Sequence, residues 1–231
     1  LIWMDMRSAP QTEQVLATAD PALQVNSNGS GPVSAEWMIP KSLWIQQEEP
    51  EIFDKAETVC EFQDYLNLHL TGKRVASINN VSVRWHYGPG WGGWARSMVE
   101  SLGMSELLKK WPAIVLRLGE EIGGLTSKAA AHLDLPEGVP VLQGGADAFI
   151  GMIGLGVVNP GSLAFITGSS HLHLGLSPQA FHGQGIWGTY ANAVIPGLHV
   201  VEGGQTSTGS VVSWIRRTLG SPSYEELKTH L

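Results

Sequence analysis

Apolar stretches short enough for strands alternate with longer segments of helical periodicity, and this alternation predicts an α/β fold. The apolar runs predict strands at residues 1–4, 139–143, 162–167 and 171–176. The helical patterns lie at residues 10–19, 35–48, 53–70, 96–111 (two short helices divided at Gly103), 127–135 and 206–219.

Three breaks in these patterns predict local features. Pro40 lies inside the helical pattern of residues 35–48 and predicts a break or a kink there. Residues 168–170 separate the last two strands by a short polar turn, as in a hairpin. Pro160-Gly161 marks a joint, so we expect a domain boundary near residues 155–161.

Composition and charge narrow the function classes. A 231-residue chain with 43% hydrophobic residues can bury a sizeable core. A net charge of −7 argues against binding to nucleic acid or to an anionic membrane surface, which both require concentrated Lys and Arg. Cys60, the single cysteine, excludes an internal disulfide and a multi-cysteine metal site and predicts a reducing, cytoplasmic location. No apolar run is long enough for a transmembrane helix, and the chain starts without a signal segment or an initiator Met, so we expect its true beginning to lie upstream.

The strongest candidate for chemistry is Asp147. A strand that we predict to be buried, because it is apolar, runs into Gly144-Gly145-Ala146-Asp147-Ala148, and a helix is predicted to follow. In open α/β sheets ligands bind at the carboxyl ends of strands, where a carboxylate could act as a general base on a hydroxyl. Asp is also a common helix cap, so the spacing alone leaves both interpretations open.

Two further polar segments could contact a ligand. The Gly168-Ser169-Ser170 turn offers backbone N–H groups and hydroxyls to phosphate oxygens, although an ordinary hairpin turn has the same composition. Residues 202–209 combine Glu202 with glycines and hydroxyls ahead of a helix, which is typical of either a polar cleft or a capping region.

Other chemistries have weaker support. His171 and His173 alternate along a predicted strand and so share a face, but no Cys or carboxylate lies nearby at ligand spacing. We therefore predict no metal site there, and a metal hydrolase is the weakest class. A P-loop and a Gly-x-Ser-x-Gly elbow are absent from the sequence.

An ordered series of motifs resembles the FGGY family of carbohydrate kinases, and in particular its ribulokinase-like branch. The series spans nearly the whole chain. Its members are Trp3-Met4-Asp5-Met6-Arg7, Pro40-Lys41-Ser42-Leu43-Trp44, Asp64-Tyr65-Leu66 with Leu70-Thr71-Gly72, Arg84-Trp85-His86 with Trp91-Gly92-Gly93, Gly144-Gly145-Ala146-Asp147-Ala148, Gly168-Ser169-Ser170 and Glu202-Gly203-Gly204-Gln205.

The resemblance implies an actin-like ATPase fold of the ribonuclease H type, with two domains around a cleft where sugar and ATP meet. Residues 1–156 would belong to the N-terminal sugar-binding domain and residues 157–231 to the start of the C-terminal ATP-binding domain, both incomplete here. Carried over by motif, the catalytic base is Asp147, and Trp3, Arg84, Asp147 and Glu202 contact the sugar. Gly168, Ser169 and Ser170 would contact the ATP phosphates.

The implied activity is ATP-dependent phosphorylation of a pentulose at its terminal hydroxyl, with ribulose as the first candidate substrate. Xylulose, glycerol or another polyol remain alternative substrates, and a non-catalytic sugar-binding relative is the alternative class. The cofactors implied are ATP and Mg²⁺, and family members are often homodimers. The family's Asp-x-Gly-Thr loop for phosphate and Mg²⁺ is not in this chain, so we expect the chain alone to be inactive.

Overall fold

The computed structural model describes residues 2, 4–26 and 33–228, which form short α-helices and three small sheets. The helices are α1 (Ala9–Ala17), α2 (Met38–Glu48), α3 (Pro50–Lys55), α4 (Phe62–Thr71), α5 (Ile78–Arg84), α6 (Arg96–Ser101), α7 (Leu107–Lys110), α8 (Ser127–Leu133), α9 (Asp147–Gly154), α10 (Gly209–Thr218) and α11 (Tyr224–Lys228). The strands are β1 (Val75–Ser77), β2 (Ile114–Leu116), β3 (Glu121–Gly124), β4 (Pro140–Leu142), β5 (Leu163–Thr167), β6 (His171–Ser177), β7 (Ile186–Ala191) and β8 (His199–Gln205). Short 3₁₀ turns cover Pro21–Val25 and Pro89–Trp91.

The largest sheet has the strand order β5-β6-β8-β7, and each pair of neighbouring strands within it is antiparallel. The predicted hairpin is confirmed, because Thr167 pairs with His171 around the turn at 168–170. Strands β1 and β2 pair in parallel, and β3 pairs with β4 in antiparallel. The four-stranded sheet therefore comes after α9 and before α10 in the chain.

Aromatic side chains organise the first apolar core. Trp85 is fully buried and meets Trp94 and Trp111 edge to face, with ring centroids 6.0 and 5.5 Å apart. Its indole Nε1 donates to Glu61 Oε1 at 2.9 Å, which satisfies the one polar atom of the buried ring.

The second apolar core crosses the boundary expected near residues 155–161. It combines Phe149 and Met152 of α9 with Leu174 and Val200 of the large sheet. Val83 of α5 belongs to the same cluster. Helices from the first part of the chain and strands from its last part thus share one continuous apolar cluster.

Several local predictions were wrong for identifiable reasons. Pro40 does not interrupt α2, because it lies in the first turn, where the backbone N–H groups have no partner within the helix. The pattern of residues 53–70 divides into α3 and α4, separated by residues 56–61. Ile2 and Met4 are not in a strand, and residues 1 and 3 lie outside the described part. Strand β4 is half exposed rather than buried, because β3 is its one sheet neighbour.

The last helical pattern is confirmed as α10, but its apolar stripe is not buried. Its side chains Val211, Val212, Trp214 and Ile215 are 40%, 47%, 60% and 41% exposed. Within the described part of the chain, no helix combines the length and apolar character that crossing a bilayer requires.

Candidate active site

The turn that ends in Asp147 joins β4 to α9. Asp147 is the first residue of α9, its side chain is exposed, and its Oδ1 accepts the N–H of Ala148 at 2.8 Å. The N-cap position belongs to Ala146, which makes no side-chain cap. Asp147 thus places a negative charge at the positive end of the helix dipole while keeping its carboxylate open to solvent. Asp147 is therefore not the N-cap residue, and its Oδ2 accepts no hydrogen bond from the described part of the chain.

Packing constrains the two glycines of this turn to different degrees. Neither Gly144 nor Gly145 has a positive φ, so a tight left-handed turn is not their reason. A Cβ on Gly145 would lie 2.7 Å from Asn79 Oδ1 and 3.0 Å from Asn79 Cβ, and Asn79 is fully buried, so a side chain at Gly145 would displace the turn. A Cβ on Gly144 would lie 2.9 Å from Gln63 Nε2, the end of a flexible side chain that can move away.

Asn79 is the residue that sequence reasoning missed. It is fully buried near the start of α5, and its Oδ1 accepts the N–H of Ala146 at 2.9 Å. Its Nδ2 donates to the carbonyl of Ala193, just after β7, at 3.1 Å. One amide thus joins the turn before Asp147 to the large sheet. The signal in the sequence was two adjacent asparagines, Asn79 and Asn80, inside an apolar stretch.

Ser77 bonds to the same turn, and the buried Asp64 carboxyl accepts from the backbone of Ser77. Ser77 is buried, and its hydroxyl donates to the carbonyl of Gly144 at 2.6 Å. Asp64 is 3% exposed, and burial, together with the nearby charge of Glu61, raises its pKa to about 7. The backbone N–H groups of Ser77 and Glu61 oppose this shift.

Replacing Asp64 with Asn is expected to flatten the pH dependence of stability. The folded pKa of about 7 exceeds the unfolded value of 3.8, so protonation of Asp64 stabilises the fold at low pH and this contribution is lost as the pH rises through 7. Between pH 5 and pH 8 the wild type should lose about 2–3 kcal/mol of unfolding free energy relative to Asp64→Asn. Urea unfolding of both proteins at the two pH values measures this difference.

His86 also makes stability depend on pH, and it does so equally in the wild type and in Asp64→Asn. It is buried, and burial lowers its pKa to about 4, so its contribution to stability falls as the pH drops below its unfolded value of 6.5. Both proteins share His86, and the difference between them isolates Asp64. Parallel pH profiles would contradict the raised pKa.

The Gly168-Ser169-Ser170 turn is attached to the start of α10. Ser169 O accepts the N–H of Thr208 at 2.9 Å and the hydroxyl of Ser210 at 3.1 Å. Gly168 O accepts from Thr208 Oγ1 at 3.4 Å. Two polar segments that lie about 40 residues apart in the sequence are thereby brought into one loop cluster.

This arrangement leaves donors available. In the described part of the chain, the carbonyls of Gly168 and Ser169 have partners, while the N–H groups and hydroxyls of residues 168–170 donate to no protein acceptor. Such a set of free donors suits an anion with several oxygens.

Close packing explains two glycines of these segments. A Cβ on Gly209 would lie 2.6 Å from the carbonyl oxygen of Gly168, so a side chain there would push the turn away. A Cβ on Gly204 would meet the backbone carbonyl of His171 and would lie 3.0 Å from the ring of Trp187. Both glycines keep neighbouring backbone segments close.

Glu202 lies in β8 with three polar neighbours. Its Oε2 accepts the hydroxyl of Tyr190 at 2.7 Å. Burial raises the pKa of Glu202, whereas the hydrogen bond from Tyr190 and the charge of Arg84 lower it, and Glu36 adds to the increase. Arg84, the last residue of α5, therefore lies close enough for its charge to act on the Glu202 carboxyl.

Direct polar contacts do not join the predicted site residues in the described part of the chain. Among the described residues, no hydrogen bond or ion pair links Asp147 to Arg84, Glu202 or the 168–170 turn. The helix that begins at Asp147 is connected to Glu202 through packing. Phe149 of α9 meets the ring of Tyr190 edge to face at 6.3 Å, and Tyr190 bonds to Glu202. Trp3 lies outside the described residues.

Matches to family models show to which protein family this chain belongs. Residues 1–154 match the N-terminal domain of the FGGY family of carbohydrate kinases, and residues 163–230 match the C-terminal domain of that family. The chain belongs to the FGGY family of carbohydrate kinases. The resemblance inferred from the ordered motifs is confirmed.

Relatives of this FGGY chain are about twice its length or more. It is 31% identical over 236 residues to the FGGY carbohydrate kinase domain-containing protein of Xenopus laevis, covering 93% of this chain and 42% of the relative. It is 30% identical over 190 residues to the ribulokinase of Shouchella clausii, covering 81% of this chain and 34% of the relative. The xylulose kinase of Rhodospirillum rubrum superimposes with a TM-score of 0.81 at 25% identity, covering 97% of this chain and 45% of that structure. The chain thus spans less than half the length of these proteins, and the predicted actin-like ATPase fold is confirmed.

The FGGY motif that contains Trp3 continues into a polar cluster. Arg7 pairs with Asp5 at 2.6 Å and lies 4.4 Å from the ring centre of Trp44, in the Pro-Lys-x-x-Trp motif. The Arg7 guanidinium lowers the pKa of Asp5 to about 2. Lys41 is buried, and its Nζ donates to the carbonyl of Ile2 at 2.6 Å. Two motifs of the family series are therefore neighbours in space.

The free donors of the 168–170 turn fit the phosphate oxygens of the ATP that the family implies. Within the described ranges, no group of three His, Cys, Asp or Glu side chains is placed to hold a metal ion. His171 and His173 both pack against Phe165, at 4.8 and 5.0 Å between ring centres.

Proposed function

We propose that this chain carries the sugar site and the catalytic base of an ATP-dependent carbohydrate kinase. The observation that carries the proposal is the exposed carboxylate of Asp147, held at a helix N-terminus by a turn that Asn79 and Ser77 fix. A general base must be open to its substrate and firmly placed, and Asp147 meets both conditions.

The proposed reaction needs little covalent chemistry from the protein. The sugar hydroxyl gives its proton to Asp147, its oxygen bonds to the γ-phosphorus of ATP, and the bond from that phosphorus to the bridging oxygen breaks to release ADP. Positioning and charge stabilisation supply most of the rate. The free donors of residues 168–170 would hold phosphate oxygens during this step.

We propose ribulose as the sugar, phosphorylated at its terminal hydroxyl. Glu202, Arg84 and Trp3 would contact its hydroxyls. The support is the Glu202-Gly203-Gly204-Gln205 segment and the relative named ribulokinase. The structural likeness to a protein named xylulose kinase favours xylulose as the second candidate.

The remaining features of the proposal concern the whole protein. Residues 1–156 would form part of the sugar-binding domain and residues 157–231 part of the ATP-binding domain, with Mg²⁺ ligands supplied from outside the described ranges. We propose a cytoplasmic location, which the presence of a single cysteine supports, and a homodimer, because family members are often dimers.

A substrate panel on the full-length protein tests the sugar assignment. We expect kcat/KM for a ribulose to exceed that for xylulose and glycerol by about 10-fold or more, because a site with several placed polar groups rejects sugars that leave them unpaired. A coupled assay of ADP release measures these values for D-ribulose, L-ribulose, D-xylulose and glycerol.

Other outcomes identify the alternatives. A preference for xylulose or glycerol would replace the assigned substrate but retain the reaction class. Sugar binding without ADP release would make the protein a non-catalytic relative.

A further inference from the structure

Tyr190 is the one hydrogen-bond donor to the Glu202 carboxylate within the described residues. Its side chain is 1% exposed, and its hydroxyl donates to Glu202 Oε2 at 2.7 Å. Glu202 Oε1 receives no hydrogen bond from the described part of the chain. One carboxylate oxygen is therefore held by the protein, and the other is left for a ligand.

The strand register places the two residues on one face of the sheet. Gly188 of β7 pairs with Glu202 of β8, and Tyr190 pairs with Val200. Residues 188 and 190 are two apart, so they face the same side, and Tyr190 reaches Glu202 along the diagonal. The register shifts between Ile186 and Gly188, which is a bulge that increases the local twist.

The absence of a side chain at Gly188 leaves the space through which the Tyr190 side chain extends to Glu202. A Cβ at this position would collide with the hydroxyl and the ring of Tyr190. The ring therefore lies across the backbone of Gly188 on its way to Glu202. A side chain at residue 188 would force the tyrosine away from the carboxylate.

The ring is also held from its other sides. Phe149, two residues after Asp147, meets it edge to face at 6.3 Å. The Asn26 amide lies near the hydroxyl and donates to the carbonyl of Trp187 at 3.0 Å. Burial and the charge of Glu202 raise the pKa of Tyr190 well above its ordinary value, so the hydroxyl keeps its proton and remains a donor.

We propose that Tyr190 is a positioning residue for sugar recognition, which orients Glu202 through its hydroxyl across the gap left by Gly188. This rests on the proposed function, because it assumes that Glu202 binds the sugar. Tyr190 itself touches no substrate in this arrangement. It acts by fixing one oxygen of Glu202 and by favouring the ionised carboxylate that sugar hydroxyls donate to.

The test is Tyr190→Phe in the full-length protein, with sugar affinity measured by calorimetry and turnover by ADP release. D-ribulose, L-ribulose and D-xylulose are the probes. We expect the dissociation constant and KM of the bound sugar to rise about 10-fold, with kcat and the KM of ATP changed less than about 3-fold. The acidic limb of the kcat/KM profile should move to higher pH, because the carboxyl loses a donor that lowers its pKa.

Two further variants complete the experiment. Gly188→Ala should reproduce the weaker sugar binding, because it displaces the ring but keeps its hydroxyl. Tyr224→Phe is the matched control, since Tyr224 is half exposed and, among the residues that the structure describes, its hydroxyl meets only Ser213 Oγ, at 3.5 Å. It should leave affinity and kinetics unchanged.

The outcomes separate this inference from the proposed function. Unchanged sugar affinity and an unchanged acidic limb in Tyr190→Phe would overturn it, and so would equal losses in kcat and in both KM values. A wild type that binds none of the three sugars would also overturn it. Weaker sugar binding by Tyr190→Phe in a protein that releases no ADP would support the inference while the kinase proposal fails.

Discussion

Replacing Asp147 with Asn is expected to lower kcat about 10²–10⁴-fold in the full-length protein while sugar affinity changes less than about 3-fold. Asn has nearly the same shape and its Oδ1 can still accept the N–H of Ala148, so the start of α9 is retained. What it loses is the ability to take the proton of the sugar hydroxyl. Steady-state kinetics with the sugar chosen by the panel, together with calorimetry, measures both quantities.

Asp134→Asn is the matched control for this variant. Asp134 is an exposed residue in the left-handed conformation at the end of α8, with φ 55°, where Asn is well tolerated. We expect near-normal kcat for it. Retention of near-normal kcat by Asp147→Asn would disprove the assignment of Asp147 as the base.

Replacing Asn79 with Ala is expected to lower the free energy of unfolding by about 2–4 kcal/mol. The change leaves the N–H of Ala146 and the carbonyl of Ala193 without their partner, in a region with little access to water. It also frees the turn before Asp147, so kcat should fall as well. Urea unfolding and steady-state kinetics on the same preparation measure the two effects.

Asn80→Ala provides the comparison for Asn79. The Nδ2 of Asn80 donates to Gln63 Oε1 at 2.9 Å, and that side chain can turn to another partner. We expect a loss of about 1 kcal/mol or less and little change in kcat. Equal losses in the two variants would show that the link from Asn79 to the large sheet has no special role.

The local rules predicted the elements well where a pattern was strong and had clear ends. The hairpin around residues 168–170 is confirmed because alternating strands and a short polar turn specify it locally. The prediction for Pro40 was wrong because the effect of a proline depends on whether its position lies in the first turn of a helix, and the start of α2 was not visible in the pattern. The exposure of β4 could not be predicted, since it depends on which strands lie beside it.

The sequence by itself determined the family, the order of its motifs and the candidate roles of Asp147, Arg84, Glu202 and residues 168–170, because each motif is a local run of residue types. Only the tertiary structure decided what holds them: Asn79 at the turn, α10 at residues 168–170, and Tyr190 at Glu202. The glycines of these motifs show the difference most clearly. Their presence can be read in the sequence, but the side chains and carbonyls that exclude a Cβ come from segments distant in the chain. Contacts of that kind depend on the packing of whole elements, which no local pattern encodes.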